Sequence, residues 1–136
     1  MQARQGHREL GHTADWALEV WAPDLATLLA EAAIGMYRLM GVVRADGPRQ
    51  RRRLELEGAD RESLLVEFLA ELLYLAESEG LAFDVLELVA AEGRLEARLE
   101  GAPIGSQTKE IKAVTYHKLE VRDTDQGLET CIVFDV

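Results

Sequence analysis

Residues 53–80 read RLELEGADRESLLVEFLAELLYLAESEG, and this stretch carries the clearest secondary-structure signals in the chain. Its first five residues alternate charged and leucine side chains, which is typical of a short β-strand with one buried face, and Gly58 follows them. Asp60 stands where a helix N-cap is expected, with Glu62 favourably placed in the first turn. The spacing then predicts a helix that ends at Gly80. Its apolar face consists of Leu65, Phe68, Leu69, Leu72, Leu73 and Ala76.

A second strand and helix are predicted before this stretch. Residues 16–21, WALEVW, are rich in strand formers. Asp24 can cap a helix that Gly41 can stop. The apolar positions of this helix follow helical spacing. They are Leu25, Leu28, Leu29, Ala32, Ala33, Met36 and Met40. Residues 42–50 contain a Gly-Pro pair and predict a loop.

The last third of the chain contains only strand-like and loop-like segments. The predicted strands are 82–90, 94–100, 113–122 and 128–136, and a loop is predicted at 102–108. The first two strands meet at a Glu-Gly pair, as in a hairpin. The element order β-α-β-α-β-β-β-β predicts an α+β fold with a largely antiparallel sheet, covered on one side by the two amphipathic helices. A length of 136 residues predicts a single domain spanning 1–136.

The charge of the chain argues against one broad class of function. A formal net charge of −10 argues against phosphate-driven nucleic-acid binding, which requires a cationic surface. No apolar run is long enough to span a bilayer, and the first residues lack the apolar core of a signal peptide. We therefore expect a cytoplasmic protein with no membrane partner.

Two features of the composition allow simple structural interpretations. Arg49, Arg51, Arg52 and Arg53 form the one basic cluster. The cluster fits a solvated strand edge whose charge keeps other edges away, and docking on an acidic partner is the alternative. Cys131 is the single cysteine, which excludes an internal disulfide, and its apolar surroundings predict a small core residue.

Three segments could carry chemistry: GHTAD at 11–15, KAVTYH at 112–117 and the terminal FDV at 134–136. The Asp135 side chain and the Val136 α-carboxylate are close in the chain, and two adjacent anions repel unless a cation neutralises them. If the fold brings Asp15 alongside, three oxygen ligands converge, which suits calcium or magnesium. A frayed, solvated chain end is the alternative. The apolar run that precedes Asp135 argues against fraying.

The sequence contains no recognisable catalytic motif. The three serines, Ser63, Ser78 and Ser106, have no nucleophile-elbow signature around them. A phosphate-binding glycine-rich loop is absent. The three histidines, His7, His12 and His117, could cluster, but the helical zinc motif is missing.

The three segments together resemble the archease family. Archeases carry His-Thr-Ala-Asp near the N-terminus, here residues 12–15, and Lys-Ala-x-Thr-Tyr-His in the last third, here 112–117. They end in an apolar strand with a penultimate Asp, here 132–136, and residues 65–75 resemble their second helix. Two positions depart from the pattern. Gly11 stands where an acidic residue is usual, and Lys118 where glycine is common.

The resemblance implies both a fold and a function. It implies a bifurcated, mainly antiparallel sheet with two helices. It also implies a non-catalytic activator of an RtcB-type RNA-splicing ligase, which joins 3′-phosphate or 2′,3′-cyclic phosphate ends to 5′-hydroxyls. Such an activator promotes ligase guanylylation and repeated turnover in tRNA splicing and RNA repair, and it meets RNA only through the ligase. The family's divalent-metal site maps onto Asp15, Asp135 and Val136. Calcium is the expected ion, with magnesium and manganese as alternatives.

Two other functions remain open on the sequence. A general chaperone or protein modulator would be favoured by an exposed apolar patch well above about 400 Å². A metal-dependent hydrolase would use the same carboxylates, with an open coordination position and a general base such as His12 or His117.

Overall fold

A computed structural model describes residues 4–11 and 16–136. This part of the chain contains nine strands and two helices. They are β1 (Gly6–Gly11), β2 (Trp16–Ala22), α1 (Leu25–Met40), β3 (Val43–Arg44), β4 (Gln50–Glu57), α2 (Arg61–Glu79), β5 (Leu81–Ala91), β6 (Arg94–Ser106), β7 (Ala113–Val114), β8 (Arg122–Thr124) and β9 (Gly127–Asp135).

The strands form two antiparallel sheets. In the first sheet the order is β1-β2-β9-β7, and β8 also pairs with β9. In the second, β6 is central, with β4 on one side, β5 on the other, and the short β3 paired to the end of β6. The predicted α+β class, antiparallel pairing and two helices are confirmed. The division into two sheets agrees with the expected bifurcated sheet.

Both helices begin and end at the predicted caps. The Asp24 carboxylate accepts a hydrogen bond from the Thr27 N–H at 2.8 Å, and Gly41 ends α1 at φ 63°. Asp60 accepts from the Ser63 N–H at the same distance. This hydrogen bond lowers the pKa of Asp60 below its ordinary value. Left-handed φ values at the two terminal glycines explain why glycine is needed there.

The core lies between the helices and the two sheets. α1 packs on β1, β2 and β5, whereas α2 packs on β4, β5 and β7. The two helices thus hold both sheets together. The largest fully buried side chains include Leu18, Phe68, Phe83 and Phe134. Phe134 and Ile132 are fully buried close to the last residue, which contradicts a frayed chain end. No helix in the described ranges is both long and apolar enough to cross a membrane.

Several strand boundaries differ from the sequence-based prediction. The predicted loop 42–50 contains β3, and β4 starts at Gln50. The predicted loop 102–108 is largely strand, since β6 continues to Ser106. Small residues at this end of β6 allow β5 to come very close: a Cβ on Gly101 would lie 2.1 Å from the Ala82 carbonyl oxygen. Gly101 is therefore required for the close packing of β5 on β6.

The predicted strand 113–122 is wrong in its middle. Only its ends are strand, as β7 and β8, and the residues between them form an irregular loop. Lys118 lies in this loop at φ 51°, a left-handed conformation that interrupts a strand. This conformation also gives a physical reason for the glycine that the family resemblance leads us to expect here. β1 was not predicted, because its sequence GHRELG lacks the apolar alternation of a half-buried strand.

Candidate functional site

The end of β9 forms a corner where three strands of the first sheet meet. In the pairing of β2 with β9, Trp16 lies opposite Phe134. In the pairing of β7 with β9, Ala113 lies opposite Asp135, and the Lys112 N–H donates to the Asp135 carbonyl oxygen at 2.8 Å. Phe134 is buried and Asp135 is exposed, as expected from the alternation along a strand. We call this region, formed by Trp16, residues 112–114 and residues 134–136, the C-terminal corner.

The structure describes part of the expected metal-ligand set. Asp135 is exposed at the corner, and the half-buried Val136 packs against the core. Asp15 and His12 lie outside the described residues. Within 4–11 and 16–136, no three side chains of His, Cys, Asp or Glu converge in a way that could hold a metal ion. Side-chain ligands that would join Asp135 at the corner would therefore have to come from outside the described ranges.

The loop that follows β7 is fastened to β9 at its start. The Thr115 N–H and hydroxyl both donate to the Val133 carbonyl oxygen, at 3.1 and 2.9 Å. The same hydroxyl oxygen accepts from the His117 N–H at 3.3 Å. Tyr116 and His117 are left exposed, with 53% of Tyr116 accessible. The Thr-Tyr-His motif thus uses its threonine as an anchor and presents the other two side chains to solvent.

The first turn of α2 fastens the far end of the same loop. The Glu62 carboxylate accepts from the Val121 N–H at 2.7 Å, and the Arg61 guanidinium donates to the Val121 carbonyl oxygen at 2.8 Å. Arg61 also pairs with Asp123 at 3.1 Å and lowers the pKa of that carboxyl below its ordinary value. The Thr130 hydroxyl adds a hydrogen bond to the Glu120 carbonyl oxygen at 2.8 Å. The loop is thus held at both ends, which limits the positions that Tyr116 and His117 can take.

A cation–π contact at the corner was not predicted from the sequence. The Lys109 ammonium nitrogen lies 3.8 Å from the centroid of the Trp16 ring. The Lys109 N–H donates to the carbonyl oxygen of Met40 at the end of α1. No local sequence signal connects Lys109 with Trp16, because only the sheet pairing and the return of the chain from β6 bring them together.

His7 lies away from the C-terminal corner. It pairs with Val20, four residues along β2 from Trp16, or about 13 Å at the usual rise of a strand. Its Nδ1 lies 3.0 Å from a Glu31 carboxylate oxygen, and its Nε2 lies 3.4 Å from an Arg38 guanidinium nitrogen. These contacts tie β1 to α1. His7 therefore makes structural contacts with α1, and no group of three metal-binding side chains in the described ranges includes it.

The arginine cluster lies at the start of β4 and pairs with carboxylates of this chain. Arg49 bonds Asp84 and Glu100, and it lowers the pKa of both carboxyls below their ordinary values. Arg51 reaches Glu100 at 3.3 Å. Arg52 pairs with Glu79 at the end of α2, and Arg53 pairs with Glu55. Because β4 is an outer strand of its sheet, the interpretation as a charged strand edge agrees with this placement.

Cys131 is not a core residue, contrary to the prediction. It is half-buried on the face of β9 opposite to Ile132, and it pairs with Glu19 of β2. Burial first, and the nearby Glu19 charge second, raise the pKa of the Cys131 thiol. A raised pKa disfavours the reactive thiolate, so the structure gives no support to a redox or nucleophilic role.

Comparison with known proteins gives one consistent result. The model of the Archease protein family matches residues 7–136. A protein archease from Archaeoglobus fulgidus is 33% identical over 135 residues, covering 96% of this chain and 98% of the relative. One from Methanopyrus kandleri is 35% identical over 125 residues, covering 86% and 89%.

Solved structures agree with the sequence comparison. The crystal structure of a Thermotoga maritima protein, described as an archease and possible chaperone, superposes with a TM-score of 0.74 at 27% identity. It covers 95% of this chain and 96% of its own. The solution structure of a Methanobacterium thermoautotrophicum protein superposes with a TM-score of 0.71 at 25% identity, covering 96% and 99%.

Proposed function

Because the chain belongs to the archease family, we propose that it is a non-catalytic activator of an RtcB-type RNA-splicing ligase. In this role it promotes guanylylation of the ligase and repeated joining of 3′-phosphate or 2′,3′-cyclic phosphate ends to 5′-hydroxyl ends. It acts on tRNA splicing and RNA repair through the ligase and does not itself bind RNA. The net charge of −10 supports the last point, since a phosphate backbone is repelled by an acidic surface.

One observation carries the proposal: two of the three segments that stand out in the sequence meet at one corner of one sheet, and the third directly precedes a residue of that corner. The HTAD segment directly precedes Trp16, the KAVTYH segment contains β7, and the FDV segment ends β9. β2, β9 and β7 are adjacent strands, and Trp16 lies opposite Phe134. Segments that are far apart in sequence but meet at one corner are what a binding site requires.

The donor chemistry at the corner fits a divalent cation. Asp135 contributes an exposed carboxylate, and Val136 contributes the α-carboxylate of this chain. Asp15 directly precedes Trp16 in the chain, and Trp16 lies opposite Phe134. Carboxylate oxygens are hard ligands, which suits calcium first and magnesium or manganese next. When bound, the ion would supply positive charge to the phosphates of the ligase's guanylylation site.

The protein surface around the metal gives the proposed contact with the ligase. Tyr116 and His117 are exposed and are held by a loop that is fastened at both ends. An ordered loop loses little conformational entropy on binding. Opposite charge between an acidic corner and a nucleotide- and metal-binding cleft would speed the encounter. We therefore propose that the C-terminal corner enters the ligase's active-site cleft.

A ligase turnover assay tests this function directly. The cognate ligase is incubated with GTP, a divalent metal and RNA bearing 2′,3′-cyclic phosphate and 5′-hydroxyl ends, with and without this protein. We expect the protein to raise ligase guanylylation and to allow several joining events per ligase molecule. The protein alone should join nothing. Equal turnover with and without equimolar protein would reject the proposal.

The two alternatives have less support. A general chaperone would need a contiguous apolar patch. The exposed large apolar residues in the described ranges are Ile34, Val43, Tyr74, Val85, Val89 and Tyr116. Apart from the two valines of β5, they lie on separate elements. A metal-dependent hydrolase would need a positioned general base, and exposed His117 has only a backbone hydrogen bond to Thr115 in the described part of the loop.

A further inference from the structure

The outer edge of β4 has backbone groups available for pairing. Among the described strands, β4 pairs only with β6. The Gly58 N–H donates to the Gly93 carbonyl oxygen at the hairpin side, so even-numbered positions of β4 direct their backbone groups to β6. The odd-numbered positions 51, 53, 55 and 57 therefore direct their N–H and C=O groups to the open edge. Such an edge is a template for another strand.

The exposed side chains along this edge are ordered by charge. They are Arg51, Arg53, Glu55 and Glu57, all on the face away from the helices. Two positive residues precede two negative ones, with Leu54 at the midpoint. A second β4 laid antiparallel, with Leu54 opposite Leu54, therefore brings every arginine opposite a glutamate of the other copy.

Other arrangements of the two edges are less favourable. A shift by two residues places Arg53 opposite Arg53 while Arg51 still faces Glu55, or it places Glu55 opposite Glu55 while Arg53 still faces Glu57. Parallel alignment in register places like charges together along the whole strand. Like charges directly opposite each other destabilise a strand pair, whereas opposite charges stabilise it. Charge on a strand edge generally hinders pairing, but only the register centred on Leu54 places these four charges opposite one another without a like-charge pair.

We propose that this edge joins two copies of the chain into a symmetric dimer with a continuous sheet across β4. The occupant of the edge is thus a second molecule of the same protein. In the register centred on Leu54, the odd positions that face the edge form hydrogen-bonded pairs, as antiparallel pairing requires. Two-fold symmetry then repeats each contact, so that Arg53 meets Glu55 twice.

The inner face of β4 supports the same arrangement. Leu54 and Leu56 pack against the core but are only half-buried. The two-fold axis places Leu54 against Leu54 of the second copy, and Leu56 beside the aliphatic part of Arg52. The present partners of the edge arginines do not prevent exchange, because 87% of the Arg51 side chain and 61% of the Arg53 side chain are accessible.

The test is a pair of charge reversals and their mixture. Arg53→Glu and Glu55→Arg each place like charges across both symmetry-related contacts. Sedimentation velocity from micromolar to near-millimolar protein should show a concentration-dependent dimer for the original chain. Each variant should dimerise at least about tenfold more weakly, equivalent to about 1.4 kcal/mol. An equimolar mixture should dimerise again, since positions 53 and 55 then carry opposite charges across the contact.

Arg122→Glu is the matched control. Arg122 pairs with Glu129 at 3.0 Å on the other sheet, and its side chain is about as exposed as that of Arg53. The substitution therefore makes the same change of charge at a site away from β4. Thermal melts establish that each variant is folded. A chain that stays monomeric at every concentration overturns the proposal. So does a dimer that is weakened equally by Arg122→Glu, or a mixture of the two β4 variants that fails to associate.

Discussion

Trp16 lies directly opposite Phe134, so β2 starts and β9 finishes at the same end of the first sheet. The pairing is anchored in the core, because Phe134 is fully buried. The residues attached just outside the pair are Asp15 and Asp135. The metal proposal therefore requires no rearrangement of the described strands, and it can be tested by changing one side chain at a time.

Removing a proposed ligand should abolish metal binding and leave the fold intact. We expect calorimetry with calcium to show one site in the original chain. Asp15→Ala and Asp135→Asn should each weaken binding by more than about tenfold, or about 1.4 kcal/mol. Asp125→Asn is the control, since it removes an exposed acid from the β8–β9 turn. Unchanged calcium affinity in Asp15→Ala would remove that residue from the ligand set.

Extending the chain beyond Val136 should impair metal binding. The extension replaces the α-carboxylate by a neutral amide, while Phe134 can still pack in the core. We expect weaker calcium affinity and less ligase stimulation, with an unchanged melting temperature in metal-free buffer. The same tag placed before Met1 is the control. If a C-terminally extended protein binds calcium as tightly as the original chain, the Val136 carboxylate is not a metal ligand.

The contact between Arg61 and Asp123 should make stability depend on acid pH. Arg61 lowers the pKa of Asp123 below its ordinary value of 3.8, so the folded chain holds this proton less tightly than the unfolded chain. The contribution is complete above pH 3.8 and is lost as the pH falls through the lower folded value. Asp123→Asn should lower the melting temperature at neutral pH, and the difference should shrink below about pH 3. Asp125→Asn again serves as the control, and a difference that grows in acid would contradict the assignment.

Gly101 should tolerate no side chain. A Cβ there would lie 2.1 Å from the Ala82 carbonyl oxygen, so Gly101→Ala must push β5 and β6 apart. We expect a loss of about 2 kcal/mol in the free energy of unfolding, typical of overpacking. Gly47→Ala is the control, because its nearest neighbour would be Pro103 at an ordinary 3.4 Å. Urea unfolding measures both, and equal stabilities would show that the strands adjust freely.

Local signals account for what could be predicted from the sequence. Both helix N-caps, Asp24 and Asp60, could be predicted, and so could the glycines that end the helices. Each of these interactions lies within about one turn of the helix. The extension of β6 through Gly101 could not be predicted, because it depends on close packing against Ala82, which is distant in sequence. The alternation of side chains along residues 113–122 likewise could not show that the chain leaves the sheet after Val114 and returns to it at Arg122.

The candidate site shows the same division. The adjacency of Asp135 and Val136 follows from their positions in the chain, and so does the chemistry of their oxygens. The pairing of Trp16 with Phe134 is set by the register of two strands that are remote in sequence. The fastening of the Thr115–Val121 loop by Arg61 and Glu62 is remote in the same way. Only the family resemblance connected these segments before the fold was known.

The two ends of helix α2 contact different sheets. Arg61 and Glu62 hold Val121 beside the first sheet, while Glu79 holds Arg52 of the second. Neither sheet can open without breaking contacts made to this one helix, so the chain should behave as a single cooperative unit in native-state hydrogen exchange. Amides in the middle of β6 and of β9 should then report the same opening free energy, equal to that of global unfolding. Amides of β1, which pairs with β2 alone among the described strands, should exchange through smaller local openings.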